Sequence, residues 1–440
     1  MKICFAICGL PRCIDLVINR IDNIFKSHDI SYYICLTKNY EKYEKEYNNY
    51  VDITTIIRNK NIEKLLFITD SEKSLYRNSL NYTNKIKNLI PIIDDKYDLY
   101  ILIRSDFIFN SIDFLEKIQD VNKIYLCNNN NINKFIDNLN LRCNDNIIIT
   151  KSYSNFSKLQ NLYELTKADN NYLEIILYNY IKNNLIDYEQ IFIDYKLVLS
   201  RCNIIAIAGD SGSGKSTLLK ELTTLFLNNN FLQLETDRYH KWERGNSNYL
   251  EFSHLNPKAN NLDKMNMDVY NLKIGHEIYA VDYDHSTGKF TQEEKIKSKN
   301  NIILCGLHTL YNNTMNDIIN LKIFMDTDRE LIKKWKINRD VIERGYNLDK
   351  VLKQIESRQK DYDEYISNQK ENADIIIKYY ELTNMLRCEM IIKTTLYINK
   401  LISNKKNIIN DFFVEENYIK ILFENNIFKN IKNIINIILL

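Results

Sequence analysis

The stretch AGDSGSGKST, Ala208 to Thr217, contains three of the nine glycines of a 440-residue chain, Gly209, Gly212 and Gly214. An apolar run, Ile204 to Ala208, precedes it and reads as a strand. The segment that follows, Ser216 to Leu227, carries leucines at helical intervals. The stretch satisfies the spacing GxxxxGK[ST] in the context that gives this spacing meaning, a strand, then a loop, then a helix. Glycines here let backbone N–H groups turn inward around a chain of phosphates, and the helix N-terminus adds its partial positive charge. ATP is therefore expected against Gly209, Asp210, Ser211, Gly212, Ser213, Gly214, Lys215, Ser216 and Thr217. Lys215 would reach the β- and γ-phosphates, and Ser216 would ligate Mg2+.

The totals narrow the partners. Fifty-nine basic residues against fifty-seven acidic ones, net +2, provide no excess of charge to hold a polyanion, so nucleic acid is not an expected partner. No apolar run is long enough to span a bilayer, and Pro11 and Arg12 interrupt the opening MKICFAICGLPRC; no membrane partner and a cytoplasmic location are expected. The nine cysteines are odd in number and scattered, which suits free thiols. Cys4, Cys8 and Cys13 read as small buried hydrophobes rather than ligands. The chain is compatible with a homo-oligomer, and its oligomeric state is left open.

Eight of the nine glycines, both tryptophans and five of the six histidines lie after residue 200. Two units of different origin explain this skew, and the predicted fold class is α/β, with two layered domains. Residues 1–199 form the first, 200–380 the second, with a mainly parallel sheet, and 381–440 a helical extension packed on the second. In the first domain, strands are expected at 2–8, Tyr32 to Leu36, Leu99 to Arg104 and Ile147 to Thr150, with helices at Ile14 to Ile24 and Tyr172 to Lys182. In the second, strands are expected at Ile204 to Ala208, Phe231 to Glu235, Ile302 to Cys305 and Leu321 to Met325. A helix from Arg329 to Glu343 would be capped by Asp328.

A nucleotide loop alone does not separate a kinase from a GTPase or a mechanical ATPase. Downstream come ETDRYHKWERG (235–245), LNPKANNLDKM (255–265), YDHSTG (283–288), GLH (306–308), KINRDVIERG (336–345) and RQKDYDEYISNQKENADIII (358–377). In this order and spacing they resemble the phosphoribulokinase/uridine kinase family over roughly Asn203 to Ile377, and LNPKANNLDKM and YDHSTG resemble the phosphoribulokinase branch more closely. The resemblance implies that Asp237 is the base facing the acceptor hydroxyl and a metal-side carboxylate. It implies that His240, Arg244 and His285 hold the acceptor, a sugar phosphate or a nucleoside. In KINRDVIERG, Lys336, Arg339, Asp340 and Arg344 can project from neighbouring faces of one helix and its end. The resemblance makes Asp340 a metal or transition-state residue and the basic residues a clamp on substrate and transferring phosphoryl group. Trp242 and Trp335 read as packing residues.

One position departs from the family pattern. A glutamate usually stands immediately before GLH, and here it is Cys305. A thiol does not replace a carboxylate near Mg2+, a hard cation that prefers oxygen. Either Asp237 and Asp340 suffice, or the kinase is slow, altered in substrate, or reduced to a nucleotide-binding module.

In the first domain, DLYILIRSDFIF (98–109), NDNIIIT (144–150) and the opening CFAICGLPR resemble segments of nucleotide-sugar glycosyltransferases. That resemblance implies a nucleotide sugar as partner, with Asp106 near the sugar diphosphate and Asp145 near the acceptor. The expected whole is an ATP-dependent, Mg2+-using kinase of a small sugar phosphate fused to a glycosyltransferase-like domain. The alternatives are a uridine or nucleoside kinase, or a nucleotide-binding module with an inactive kinase site attached to a carbohydrate-active domain.

Overall fold

KICFAICG is apolar at successive positions, and the strand it forms, β1 (Lys2–Gly9), is buried from Ile3 through Cys8, Cys4 and Cys8 included. A strand with both faces covered needs parallel neighbours and flanking helices. The computed structural model describes residues 1–9, 14–37, 61–69, 75–127, 147–168, 173–191, 193, 195–197, 202–225, 231–343, 345–393, 401, 411–414, 418–424 and 426–439. They fall into two units, Met1–Arg201 and Cys202–Leu440.

In the first unit α1 (Ile14–Ile24) links β1 to β2 (Asp29–Thr37). There follow β3 (Ile62–Ile68), α2 (Leu75–Leu89), β4 (Leu99–Arg104), β5 (Phe107–Phe109), β6 (Ile124–Cys127) and β7 (Ile147–Thr150). Then come α3 (Tyr153–Lys158), α4 (Leu162–Ala168), α5 (Leu173–Asn183), β8 (Tyr188–Ile191) and β9 (Tyr195–Leu197). The sheet order is β3-β2-β1-β4-β7-β6-β8. β1 is parallel to both β2 and β4, while β7 runs antiparallel to β4 and β6. The order reverses between β1 and β4, so Gly9 and Arg104 stand together at the carboxyl edge. In open α/β sheets that is where ligands sit.

The second unit opens with β10 (Asn203–Gly209), α6 (Lys215–Thr223) and β11 (Phe231–Glu235). After α7 (Leu262–Lys273) come short strands, β12 (Ile278–Ala280), β13 (Tyr283–Asp284), β14 (Lys289–Phe290) and β15 (Glu294–Ile296). β16 (Asn301–Gly306), β17 (Leu321–Met325), α8 (Arg329–Ile337), α9 (Leu348–Ser357) and β18 (Ile375–Leu382) complete the nucleotide-fold layer. β11, β16, β10, β17 and β18 lie side by side, all parallel. Asp328 caps α8, its carboxylate accepting the Glu330 N–H. The helix expected to reach Glu343 stops as a regular helix at Ile337 and continues as a π-helical turn over Asn338–Glu343.

The tail after residue 380 does end in a helix, α10 (Ile427–Leu439), but strands precede it. β18 turns through Thr383 and Asn384, at φ of 51° and 61°, into β19 (Met385–Ile392). β20 (Asp411–Val414) and β21 (Ile419–Phe423) then extend the sheet antiparallel in the order β18-β19-β21-β20. Only one face of β19 is fully buried, at Cys388, Met390 and Ile392, so the segment has no continuous apolar run that would announce a strand. Helix α10 carries Ile427, Ile431, Ile434, Ile435 and Ile438 at helical spacing. These pack in one core cluster with Leu218, Leu219 and Leu222 of α6. Among the described residues no helix is long and apolar enough to cross a membrane.

Candidate active site

The glycine loop leaves β10 and ends at Gly214, whose φ of 93° lies in the left-handed region where a side chain is strained. Gly214 is the N-cap of α6, so the helix begins at Lys215 and directs its first N–H groups into the loop. Lys215 Nζ donates to the carbonyl oxygens of Gly209 (3.0 Å) and Asp210 (2.7 Å). Ser211, Gly212, Gly214, Lys215, Ser216 and Thr217 line a cavity of ≈ 800 Å³. Gly209, Asp210 and Ser213, expected around the nucleotide, are not part of its wall; they brace the loop from behind. The buried Asp210 carboxylate pairs with Arg329 at 2.7 Å and accepts the Ser211 N–H at 2.7 Å, and Arg329 lies over the Tyr362 ring. The Ser213 carbonyl accepts from the Thr327 hydroxyl at 2.8 Å. Like-charge repulsion explains Asp210: a carboxylate turned toward a triphosphate would oppose it.

Across the cavity, Thr236–Tyr239 form a single 3-10 turn at the end of β11 and deliver Asp237 to the carboxyl edge of the sheet. His285 Nε2 lies 3.3 Å from Asp237 Oδ2, and His240 Nε2 lies 3.7 Å from Oδ1. Burial works against the Asp237 charge. His285, His240 and Lys215 outweigh it, and the carboxyl titrates below the ordinary range. The ANN segment explains how His240 is held. Asn260 Nδ2 donates to the carbonyls of His254 and Asn256, which leaves its Oδ1 to accept from His240 Nδ1 at 2.8 Å.

Arg244 is placed by the YDHSTG turn between β13 and β14. Asp284 accepts from the Ser286 and Thr287 hydroxyls, at 2.6 and 2.7 Å, and is drawn down to about 2 by them. Gly288, at φ 73°, accepts the Arg244 N–H at 2.8 Å, and a Cβ on it would collide with the Arg244 side chain. Arg244 then donates to the His285 carbonyl at 2.6 Å.

The third wall comes from α8 and the π-helical turn after it. Lys336, Arg339 and Asp340 all reach the cavity. Burial draws the Lys336 ammonium down to about 8, against Asp210, which favours its charge. Asp340 is gripped by its neighbour Arg339, at 2.8 and 3.2 Å, and Arg339 also reaches the Ser211 hydroxyl at 3.4 Å. Arg344 lies outside the described residues.

These walls unite a triphosphate loop, a low-titrating carboxylate and several cations, the arrangement phosphoryl transfer needs. Residues 204–385 match the model of the Phosphoribulokinase / Uridine kinase family. A uridine kinase of Staphylococcus aureus is 33% identical over 180 residues, 40% of this chain and 86% of that one. The chain belongs to the phosphoribulokinase/uridine kinase family. The phosphoribulokinase of Synechocystis sp. is 36% identical over 180 residues, 41% of this chain and 54% of that one. The chain thus spans about half the length of the phosphoribulokinase relatives it matches. The solved phosphoribulokinase from Rhodobacter spheroides aligns with 54% of this chain and 95% of its own, at 18% identity and a TM-score of 0.45.

Within this family member, Glu235 and Arg358 are among the cavity-wall residues that sequence reasoning overlooked. Glu235, the last residue of β11, is directly opposite Cys305 of β16 in parallel register, and both line the cavity. Cys305 is buried, and burial first of all pushes its thiol up to about 12, so it is neutral. Arg358, first residue of the RQKDYDEY segment, is the second: it lines the cavity with Asp210 and Asp340 nearby. Glu235 could have been flagged as a second carboxylate at a strand end next to Asp237; that it faces Cys305 follows only from strand register.

Residues 204–385, which match the family model, lie in the second unit. In the first, Asp106 is buried beside Arg104, 2.9 Å away, at the carboxyl end of β4, and Asp145 lies outside the described residues.

Proposed function

We propose that the second unit is an ATP-dependent kinase that phosphorylates a hydroxyl of a small sugar phosphate. The observation that carries this reading is one cavity with two anion-holding sides. Lys215 and the α6 N-terminus serve a triphosphate, while His240 and His285 flank Asp237 and Arg244 lines the same cavity, where an acceptor would enter. Arg244 together with two imidazoles offers more anion-holding groups than a neutral nucleoside requires, which favours a phosphorylated acceptor over uridine.

In this reading Asp237 accepts the proton of the acceptor hydroxyl as its oxygen attacks the γ-phosphorus. The bond from that phosphorus to the β–γ bridging oxygen breaks, and the electron pair leaves with ADP. Lys215 meets the charge that develops on the leaving phosphate, and Lys336 and Arg339 meet that on the transferred group. The oxygen donors of Ser216, Asp237 and Glu235 on the cavity wall fit Mg2+, with Asp340 less available because Arg339 holds it. Bound there with ATP, Mg2+ would neutralise phosphate charge.

A coupled ADP-release screen of the full chain against sugar phosphates and nucleosides tests the assignment, with Lys215→Ala as the blank. Turnover that depends on a sugar phosphate is expected. ATP binding without acceptor-dependent ADP release would reduce the site to a nucleotide-binding module. For the first unit we propose a nucleotide-sugar site at Gly9, Arg104 and Asp106, supported by the reversal of strand order between β1 and β4. Protection of that edge from hydrogen exchange by a nucleoside diphosphate sugar checks it.

A further inference from the structure

The sheet order β11-β16-β10-β17-β18 gives the nucleotide loop two unlike sides. On the β11 side stands Asp237; on the other side the cavity wall is aromatic. Trp335 of α8, Tyr379 of β18 and Phe428 of α10 line the same cavity as Gly214 to Thr217. The rings form a chain, Trp335 to Tyr379 with centroids 6.0 Å apart and Tyr379 to Phe428 with centroids 5.9 Å apart. This wall touches the loop itself. A Cβ on Gly214 would stand 3.3 Å from Tyr379 Cε2 and 3.6 Å from Trp335 Cζ3. Tyr379 is buried, whereas Trp335 and Phe428 are only partly so and open on the cavity.

A triphosphate whose outer phosphate faces Asp237 must send its nucleoside the opposite way, toward β17 and β18. The wall it meets there is made of ring faces and edges, which bind a planar base by stacking. We propose that Trp335, Tyr379 and Phe428 form the seat of the purine base of the phosphoryl donor. The base is held by stacking, so ATP and GTP are accepted with similar affinity, and the C-terminal helix α10 is a working part of the nucleotide site. This rests on the kinase reading of the loop. It extends that reading beyond the stretch 204–385 matched by the family model, because Phe428 lies outside it.

Titrating the full chain with Mg-ATP, Mg-GTP and inorganic tripolyphosphate tests the seat, with binding followed by calorimetry. Phe428→Ala is expected to weaken ATP and GTP alike by roughly tenfold, the effect of losing one stacking ring, and to leave tripolyphosphate unchanged. Lys215→Ala should weaken all three. Because Phe428 also packs on the core, Phe428→Leu serves as the variant that retains bulk without the ring; it should show the same split between nucleotide and tripolyphosphate. Equal loss of tripolyphosphate and ATP in Phe428→Leu would overturn the base seat, as would unchanged ATP affinity or a preference for ATP over GTP beyond a hundredfold. Tripolyphosphate that binds neither the unmodified chain nor any variant would instead overturn the loop assignment beneath it.

Discussion

Glu235 and Cys305 are register partners on adjacent parallel strands, at the carboxyl ends of β11 and β16, and both face the cavity that holds Lys215 and Asp237. Adjacent strands lie about 4.8 Å apart, so a carboxylate on either residue serves nearly the same place. The glutamate that the family resemblance expects at 305 therefore has a neighbour able to supply its charge.

Removing that charge is the direct test. Glu235→Gln should lower kcat by roughly 10–100-fold and weaken the Mg2+ dependence of turnover. Adding Cys305→Glu to Glu235→Gln should recover most of the loss, which a purely structural role for Glu235 would not allow. Cys305→Glu alone should gain little, since it sets two carboxylates side by side. A steady-state Mg2+ titration of the three variants separates these outcomes.

Asp237→Asn should cost about 10²- to 10⁴-fold in kcat, the range for losing a positioned base, with little change in KM for ATP. His285, His240 and Lys215 keep the carboxyl below the ordinary range despite burial, so it stays ionised throughout an assay between pH 5 and 9. An acid limb of kcat/KM in that window that persisted unchanged in a His285→Asn, His240→Asn double variant would contradict this arrangement.

His308 and His254 are both close enough to Asp237 to feel its charge, and burial draws them down to about 4 and about 3. A histidine lowered in the folded state stays neutral there while the unfolded chain takes up a proton below about pH 6.5. Stability is therefore unaffected above that pH and falls as the pH drops from about 6.5 toward 4, by about 1.4 kcal/mol per pH unit for each residue. The depressed Asp237 has the ordinary carboxylate sign, and its contribution is lost only below about pH 4. Urea midpoints from pH 7 to 4.5 should show the histidine slope, roughly halved in His308→Gln.

Arg329→Gln leaves the buried Asp210 carboxylate without its partner at 2.7 Å. Since Arg329 is about one-third exposed, the cost is set at about 2 kcal/mol, below that of a fully buried pair. That corresponds to a fall in Tm of about 4–8 °C for a unit of this size. Weaker ATP binding should accompany it, because the loop loses its brace; thermal melts with and without nucleotide measure both.

Residues 204–227 alone determine that a strand enters a phosphate loop and a helix leaves it, because glycine spacing and apolar periodicity are local properties. Strands β4, β7, β11 and β17 were legible to the residue for the same reason, whereas the short motifs carrying Asp237, His240, Arg244 and Asp340 were legible only through their resemblance to a family. Tertiary structure alone decided which of these residues share a wall. It turned Asp210 away from the phosphate side onto Arg329, set Glu235 against Cys305, and brought Phe428 from a distant helix to Tyr379. It also made strands of the segment after residue 380, where burial on one face left no continuous apolar run. Strand register and contacts between elements are fixed by the burial of surfaces far apart along the chain, and no local pattern of residues records them.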